Sequence, residues 1–307
     1  MLNTDKNRKY VKSRERSKTG SINDYLKENY SKTSITGYLW IIDRFKQYTQ
    51  NHETASYQDI LNYISYLRKK QLHPKTIRNN LFAIKIYYRY LISIGKRTDH
   101  PANDLYLQDK INRSIDVENL YTKKQLEEFY KDYKPKRKEL LQRDKTIISL
   151  LIYQALTVLE ISQLEINNLD LEKGLIHIKA NAKNNSRTLN LESSQIMLMH
   201  NYINQYRKKL LKQNQNKETE ALILSLVGTR IAHHSISRQL NYKREKHERL
   251  LPLKIRQSVI ANLLKSGNDL RIVQVFAGHR RAASTEEYKQ TGLEELKNAI
   301  NKYHPLQ

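Results

Sequence analysis

From Ser21 to about Leu107, apolar residues recur every three or four positions, the spacing of helices with one buried face. Tyr38, Ile41, Ile42 and Phe45 form one such stripe, with Ser34 or Thr36 as its N-cap. Ile60, Leu61, Ile64 and Leu67 form a second, and a third helix begins after Pro74 and ends at Gly95. Within it, Tyr87, Tyr88 and Tyr90 read as core packing, with base stacking as the alternative. The polar stretch DHPANDLYLQDKINRSIDVENLYT carries proline, acids and amides and marks a linker. The pattern gives a helical domain at 19–107, a linker at 108–117 and a second domain at 118–307.

The second domain opens with a helix capped by Thr122, then a long apolar helical stretch, RDKTIISLLIYQALTVLEISQL. The period then changes to two. Leu175-Ile176-His177-Ile178 and Thr188-Leu189-Asn190-Leu191 alternate as strands, and the polar run Asn181 to Ser186 between them makes a β-hairpin. Helical patterns resume in SSQIMLMHNYINQYRKKLLK, SISRQLNYKREK, LKIRQSVIANLLKSG and DLRIVQVFAG. The fold class is mainly α with a small antiparallel β-sheet.

Composition narrows the function. The 307 residues hold 55 Lys and Arg against 31 Asp and Glu, a formal net charge of +24. Such an excess suits a polyanionic partner, which leaves RNA, DNA and a membrane surface open. Lys6, Arg8, Lys9, Lys12, Arg14, Arg16 and Lys18 make 1–18 a basic arm, read either as a solvated tail or as a DNA contact. No apolar run reaches the roughly 18 residues of a membrane span, and the N-terminus lacks the apolar stretch of a signal peptide. The absence of cysteine excludes disulfides, thiol catalysis and zinc-cysteine sites. A cytoplasmic location is expected.

The C-terminal third carries the chemistry. LKIRQSVIANLLKSGNDLRIVQVFAGHRRAASTEEY sets Arg256, Gly267, Asp269, Val273, Gln274, Gly278, His279 and Tyr288 in order. This ordered set resembles the tyrosine recombinases, or phage-integrase family, in which an H-x-x-R helix start precedes G-x-D-x-x-x-V-Q-x-x-x-G-H and a tyrosine. RQSVI and STEEYKQT also look like integrases of Bacteroidetes mobile elements. The resemblance implies a SAM-like core-binding domain followed by a catalytic domain. It implies Tyr288 as nucleophile on a DNA phosphodiester, Arg256 as phosphate clamp and His279 as hydrogen-bond donor. Lys183 in the hairpin turn is the general acid it implies, with Lys179 as runner-up. Phosphoryl transfer of this kind needs clustered cations around the developing negative charge; no metal and no cofactor are implied.

Two positions depart from the family pattern. ALTVLEISQL stands where the family has G-L-R-x-S-E-L, so Thr157 replaces the first arginine while Glu160 keeps the acid. Leu253 replaces the histidine of H-x-x-R. Arg187, Arg230 or Arg238 could supply the missing cation, and His233 or His234 a missing imidazole. The alternative is a weakened or inactive recombinase-fold DNA-binding protein. The implied partner is double-stranded DNA, with a homo-tetramer in the synaptic complex, a monomeric free state left open, and no membrane. Leu293, Leu296 and Ile300 share one face of a tail helix that docks on a neighbouring protomer or in cis.

Overall fold

The computed structural model describes residues 20–109, 115–117, 119–214, 219–245 and 248–288. The arm at 1–18 and the tail positions Leu293, Leu296 and Ile300 lie outside the described residues. The chain divides into two compact units, Met1–Arg113 and Ser114–Gln307.

The first unit is a helical bundle of α1 (Ile22–Asn29), α2 (Lys32–Tyr48), α3 (Tyr57–Lys69) and α4 (Pro74–Ser93). The N-cap of α2 is Ser31, not Ser34 or Thr36. The helix takes in one more turn because the Ser31 carbonyl already receives the N–H groups of Ser34 and Ile35. A reciprocal capping box between Ser56 and Asp59 starts α3, satisfying donors that have no partner within the helix. Pro74 sits in the first turn of α4, where its missing N–H costs nothing. Ile41, Ile42 and Phe45 of α2, Ile60, Ile64 and Leu67 of α3, and Ile77, Leu81, Ile84, Tyr87, Tyr88 and Leu91 of α4 close one core. The Tyr88 hydroxyl donates to the His52 carbonyl at 3.0 Å, and Tyr87 lies 2.7 Å from His52 Nδ1. Both rings are therefore packed inside rather than offered for stacking.

The second unit begins with α5 (Lys123–Asp132), capped by Thr122 and Gln125. Behind it α6 (Leu141–Tyr153) is buried on nearly every side, the signature of a central helix. Its polar residues find partners inside: the Arg143 guanidinium reaches Asp144, the Leu224 carbonyl and Gln239. The long apolar stretch is not one helix. It breaks between α6 and α7 (Val158–Gln163), with Ala155 at φ 51, a left-handed value uncommon for a side chain bearing Cβ. The Gln154 amide, which exchanges hydrogen bonds with Gln195 and donates to the Asn190 carbonyl, holds the break.

The sheet has three strands, not two: β1 (Leu169–Asp170), β2 (Leu175–Ile178) and β3 (Arg187–Asn190), antiparallel in that order. Ile176 pairs with Leu189 and Ile178 with Arg187. Because side chains alternate between faces, Arg187 shares the buried face of Leu189. The helix after the sheet runs through α8 (Ser193–Asn201), a π-helical turn (Tyr202–Arg207) and α9 (Lys208–Leu211). Then come α10 (His233–Leu240), α11 (Pro252–Lys265), α12 (Leu270–Ala277) and α13 (Ala283–Glu286). Asp269 caps α12 through Arg271 and Ile272, and Gly278 ends it at φ 70, as a left-handed C-terminal glycine does. Among the described residues no helix is long and apolar enough to cross a membrane.

Replacing Ser56 with alanine should lower stability by about 1 kcal/mol, and Ile84→Ala by about 2–5 kcal/mol. Denaturant midpoints at unchanged slope check both. A smaller shift for Ile84→Ala than for Ser56→Ala would place Ile84 outside the core.

Candidate active site

Glu160, in the first turn of α7, is a hub for five donors. The Thr157 N–H and hydroxyl reach Oε2 at 2.8 and 2.9 Å. The Arg187 guanidinium reaches Oε1 at 2.7 Å and Oε2 at 3.3 Å, and the Asn184 amide reaches Oε1 at 3.0 Å. The side chains of Arg187 and Glu160 are 2% and 1% exposed. Thr157, standing where the resemblance has an arginine, is the N-cap of α7 and holds the carboxylate that receives Arg187. Burial pushes the Glu160 carboxyl up, but Arg187 outweighs it, with Thr157 and Asn184 assisting, and the group ends at about 2.

Arg256, buried on α11, donates to the Ala155 carbonyl and, at 2.6 Å, to that of Ala277. The left-handed turn at Ala155 thus presents a carbonyl to the guanidinium, and the end of α12 presents another. Burial lowers the Arg256 pKa, as does the nearby Arg187, while Glu160 and Tyr288 oppose this. His279 follows Gly278; its Nδ1 lies 2.9 Å from the Thr285 hydroxyl, and its ring stacks on Tyr288 with centroids 6.5 Å apart and planes at 18°. Burial, then Arg256 and Arg187, pull the imidazole down to about 4, so it is neutral at pH 7. Burial pushes the Tyr288 phenol up to about 12, against the lowering field of Arg256. Arg256, Arg187, His279 and Tyr288 therefore share one half-buried, cationic place, two guanidiniums against one carboxylate.

The turn between β2 and β3 is fastened to the same place. Asn185 N–H donates to the Gly278 carbonyl at 2.8 Å, and Arg280 donates to that of Asn181 at 2.6 Å. A Cβ on Gly278 would lie 2.6 Å from Arg187 Nη1, so only glycine lets the strand arginine pass. Lys183 is exposed in that turn, its backbone N–H bonded to Asn181 Oδ1, and makes no ion pair among the described residues.

The remaining sequence candidates are held by other partners or exposed. Lys179 and Arg230 both pair with Glu165, and Arg230 also donates to the Ser162 carbonyl at 3.0 Å. Arg238 is exposed on α10, as are His233 and His234 at its start. Leu253 is 68% exposed on the first turn of α11. Sequence reasoning missed Asn184, Arg280 and Thr285, whose roles arise from loop contacts that carry no periodic signal. Among the described residues no group of three or more His, Asp or Glu could hold a metal.

The chain is also similar to known proteins along most of its length. The model of the phage integrase family matches residues 119–294, and that of a phage integrase N-terminal SAM-like domain matches 21–95. The tyrosine recombinase XerC of Natranaerobius thermophilus is 26% identical over 290 residues, 93% of this chain and 94% of that protein. The tyrosine recombinase XerD of Staphylococcus haemolyticus is 25% identical over 304 residues, covering 92% and 98%. Among solved structures, the Tn1549 transposon integrase in complex with circular intermediate DNA superposes with a TM-score of 0.62 at 17% identity, over 90% of this chain and 98% of that one. A lambda integrase tetramer bound to a Holliday junction gives a TM-score of 0.62 at 12% identity, over 87% and 74%. These likenesses support a common fold.

The Glu160 pair makes a pH-dependent contribution. Its folded pKa of about 2 lies below the ordinary 4.5, so its stabilisation is whole above pH 4.5 and is lost as pH falls towards 2. Glu160→Gln should therefore be less stable than the parent at neutral pH, the gap narrowing below 4.5. A gap constant from about pH 7 to about pH 3 would refute the assignment.

Proposed function

Because the chain belongs to the phage integrase family, we propose that it is a site-specific DNA recombinase that breaks and rejoins duplex DNA through Tyr288. The observation that carries this reading is the convergence of Tyr288, His279, Arg256 and Arg187 in one cationic place. The phenolic oxygen attacks the scissile phosphorus, giving a 3′-phosphotyrosine and releasing a 5′-hydroxyl. A neutral phenol must lose its proton to solvent as the new bond forms, and Arg256 is the charge that favours this loss. The guanidiniums face charge building on the non-bridging oxygens, where positioned donors act most strongly. Lys183 supplies the proton to the departing 5′-oxygen. It suits this role better than Lys179, which Glu165 holds.

Arg187 takes the part of the arginine that Thr157 replaces. It enters from β3, uses both terminal nitrogens on Glu160, and keeps a buried Nε without an acceptor in the DNA-free protein. Such an orphan donor is costly unless a ligand satisfies it. The partner is double-stranded DNA, the working assembly a homo-tetramer on paired sites, and the setting a cytoplasmic mobile element of the Bacteroidetes kind. Integration, excision and inversion all use this chemistry.

Nicked duplexes taken from the DNA flanking the gene should give a covalent protein–DNA adduct on a denaturing gel, absent with Tyr288→Phe. An adduct that survives Tyr288→Phe removes the nucleophile; tight binding without any adduct favours a non-cleaving DNA-binding protein. Arg187→Lys should slow adduct formation about 100- to 1000-fold while duplex affinity holds. Thr157→Arg should leave the rate unchanged or lower. Wild-type cleavage by Arg187→Lys would sink the relocated-cation idea.

A further inference from the structure

We infer that Thr285 is a positioning residue whose hydroxyl donates to His279 Nδ1 and so fixes the imidazole as the Nε2–H tautomer. The inference deepens the recombinase reading and rests on it for its consequence, though not for its geometry. A neutral imidazole carries one ring proton, and the partner of one nitrogen decides which nitrogen holds it. Thr285 is fully buried, and its hydroxyl lies 2.9 Å from Nδ1. Helical threonines otherwise give their proton to a carbonyl one turn back. Here, unlike the hydroxyls of Thr146 and Ser258, which donate to the Gln142 and Lys254 carbonyls, the Thr285 hydroxyl is within bonding distance of the imidazole instead. Among the described residues His279 Nδ1 is the acceptor for the hydroxyl. The opposite arrangement, Nδ1–H donating to the threonine oxygen, would strand a buried hydroxyl proton.

With Nδ1 accepting, Nε2 carries the proton and becomes a donor for a phosphate oxygen, as a clamp needs. The same residue also sets the nucleophile, because the Tyr288 N–H donates to the Thr285 carbonyl at 3.2 Å. Thr285 thus holds the imidazole through its side chain and the tyrosine through its backbone, in keeping with the near-parallel rings.

The test uses the full chain labelled with 15N-histidine, His279 being assigned by loss of its signals in His279→Gln. At neutral pH long-range 1H–15N spectra should show His279 as the Nε2–H form, and Thr285→Val should convert it to a tautomer mixture. Thr285→Val should slow adduct formation on the same nicked duplexes about ten- to hundredfold, the range seen when a partner that orients a histidine is removed. Thr285→Ser should restore both the spectrum and the rate, and duplex affinity should not change in either variant. An Nδ1–H ring in the wild type, or wild-type cleavage by Thr285→Val, overturns the inference. If the wild type forms no adduct on any duplex, the recombinase reading fails while the ring spectrum still decides the tautomer.

Discussion

A guanidinium with 2% of its side chain exposed is costly to bury, and a carboxylate buried with it offsets much of that cost. Arg187 and Glu160 are such a pair, and much of the second unit is arranged around their meeting. The α6 helix stops at Tyr153 so that α7 can start at Val158 and bring Glu160 inward. Thr157 caps α7 through the same carboxylate, Asn184 ties the hairpin turn to it, and Gly278 leaves room for the arginine. Removing either charge would leave the other uncompensated in a dry interior, a loss of several kcal/mol in comparable buried pairs, about 3–5.

At the site two guanidiniums stand against one carboxylate. Burial holds the imidazole neutral and the phenol protonated, while two guanidiniums keep the local field positive. On the recombinase reading proposed above, a DNA phosphate would bring the balancing negative charge. It would meet preoriented donors rather than water, which is how such sites gain most over solution.

Much of this was legible in the chain. Periodicity revealed the helices of both units and the hairpin, because each buries one face of a regular element. Arg256, His279 and Tyr288 fell into the register of a known motif, and they do share one place. What could not be read has physical reasons. The interruption of the apolar stretch rests on Ala155 rather than on glycine or proline, so nothing local announced it. Strand β1 spans only two residues, too short for an alternation to show. Arg187 looked like a residue flanking the hairpin; with β3 starting one position earlier, alternation puts it on the interior face of Leu189. The pairing of Lys179 with Glu165 joins residues fourteen positions apart in sequence, which no local pattern announces.

The position of Arg187 on β3 has a mechanical corollary. An arginine on the start of α7 would stay put whatever the hairpin did. Here the turn lysine and the strand arginine ride on a single ribbon, fastened at its tip to the residues on either side of His279. Any displacement of that ribbon would carry both cations as a pair.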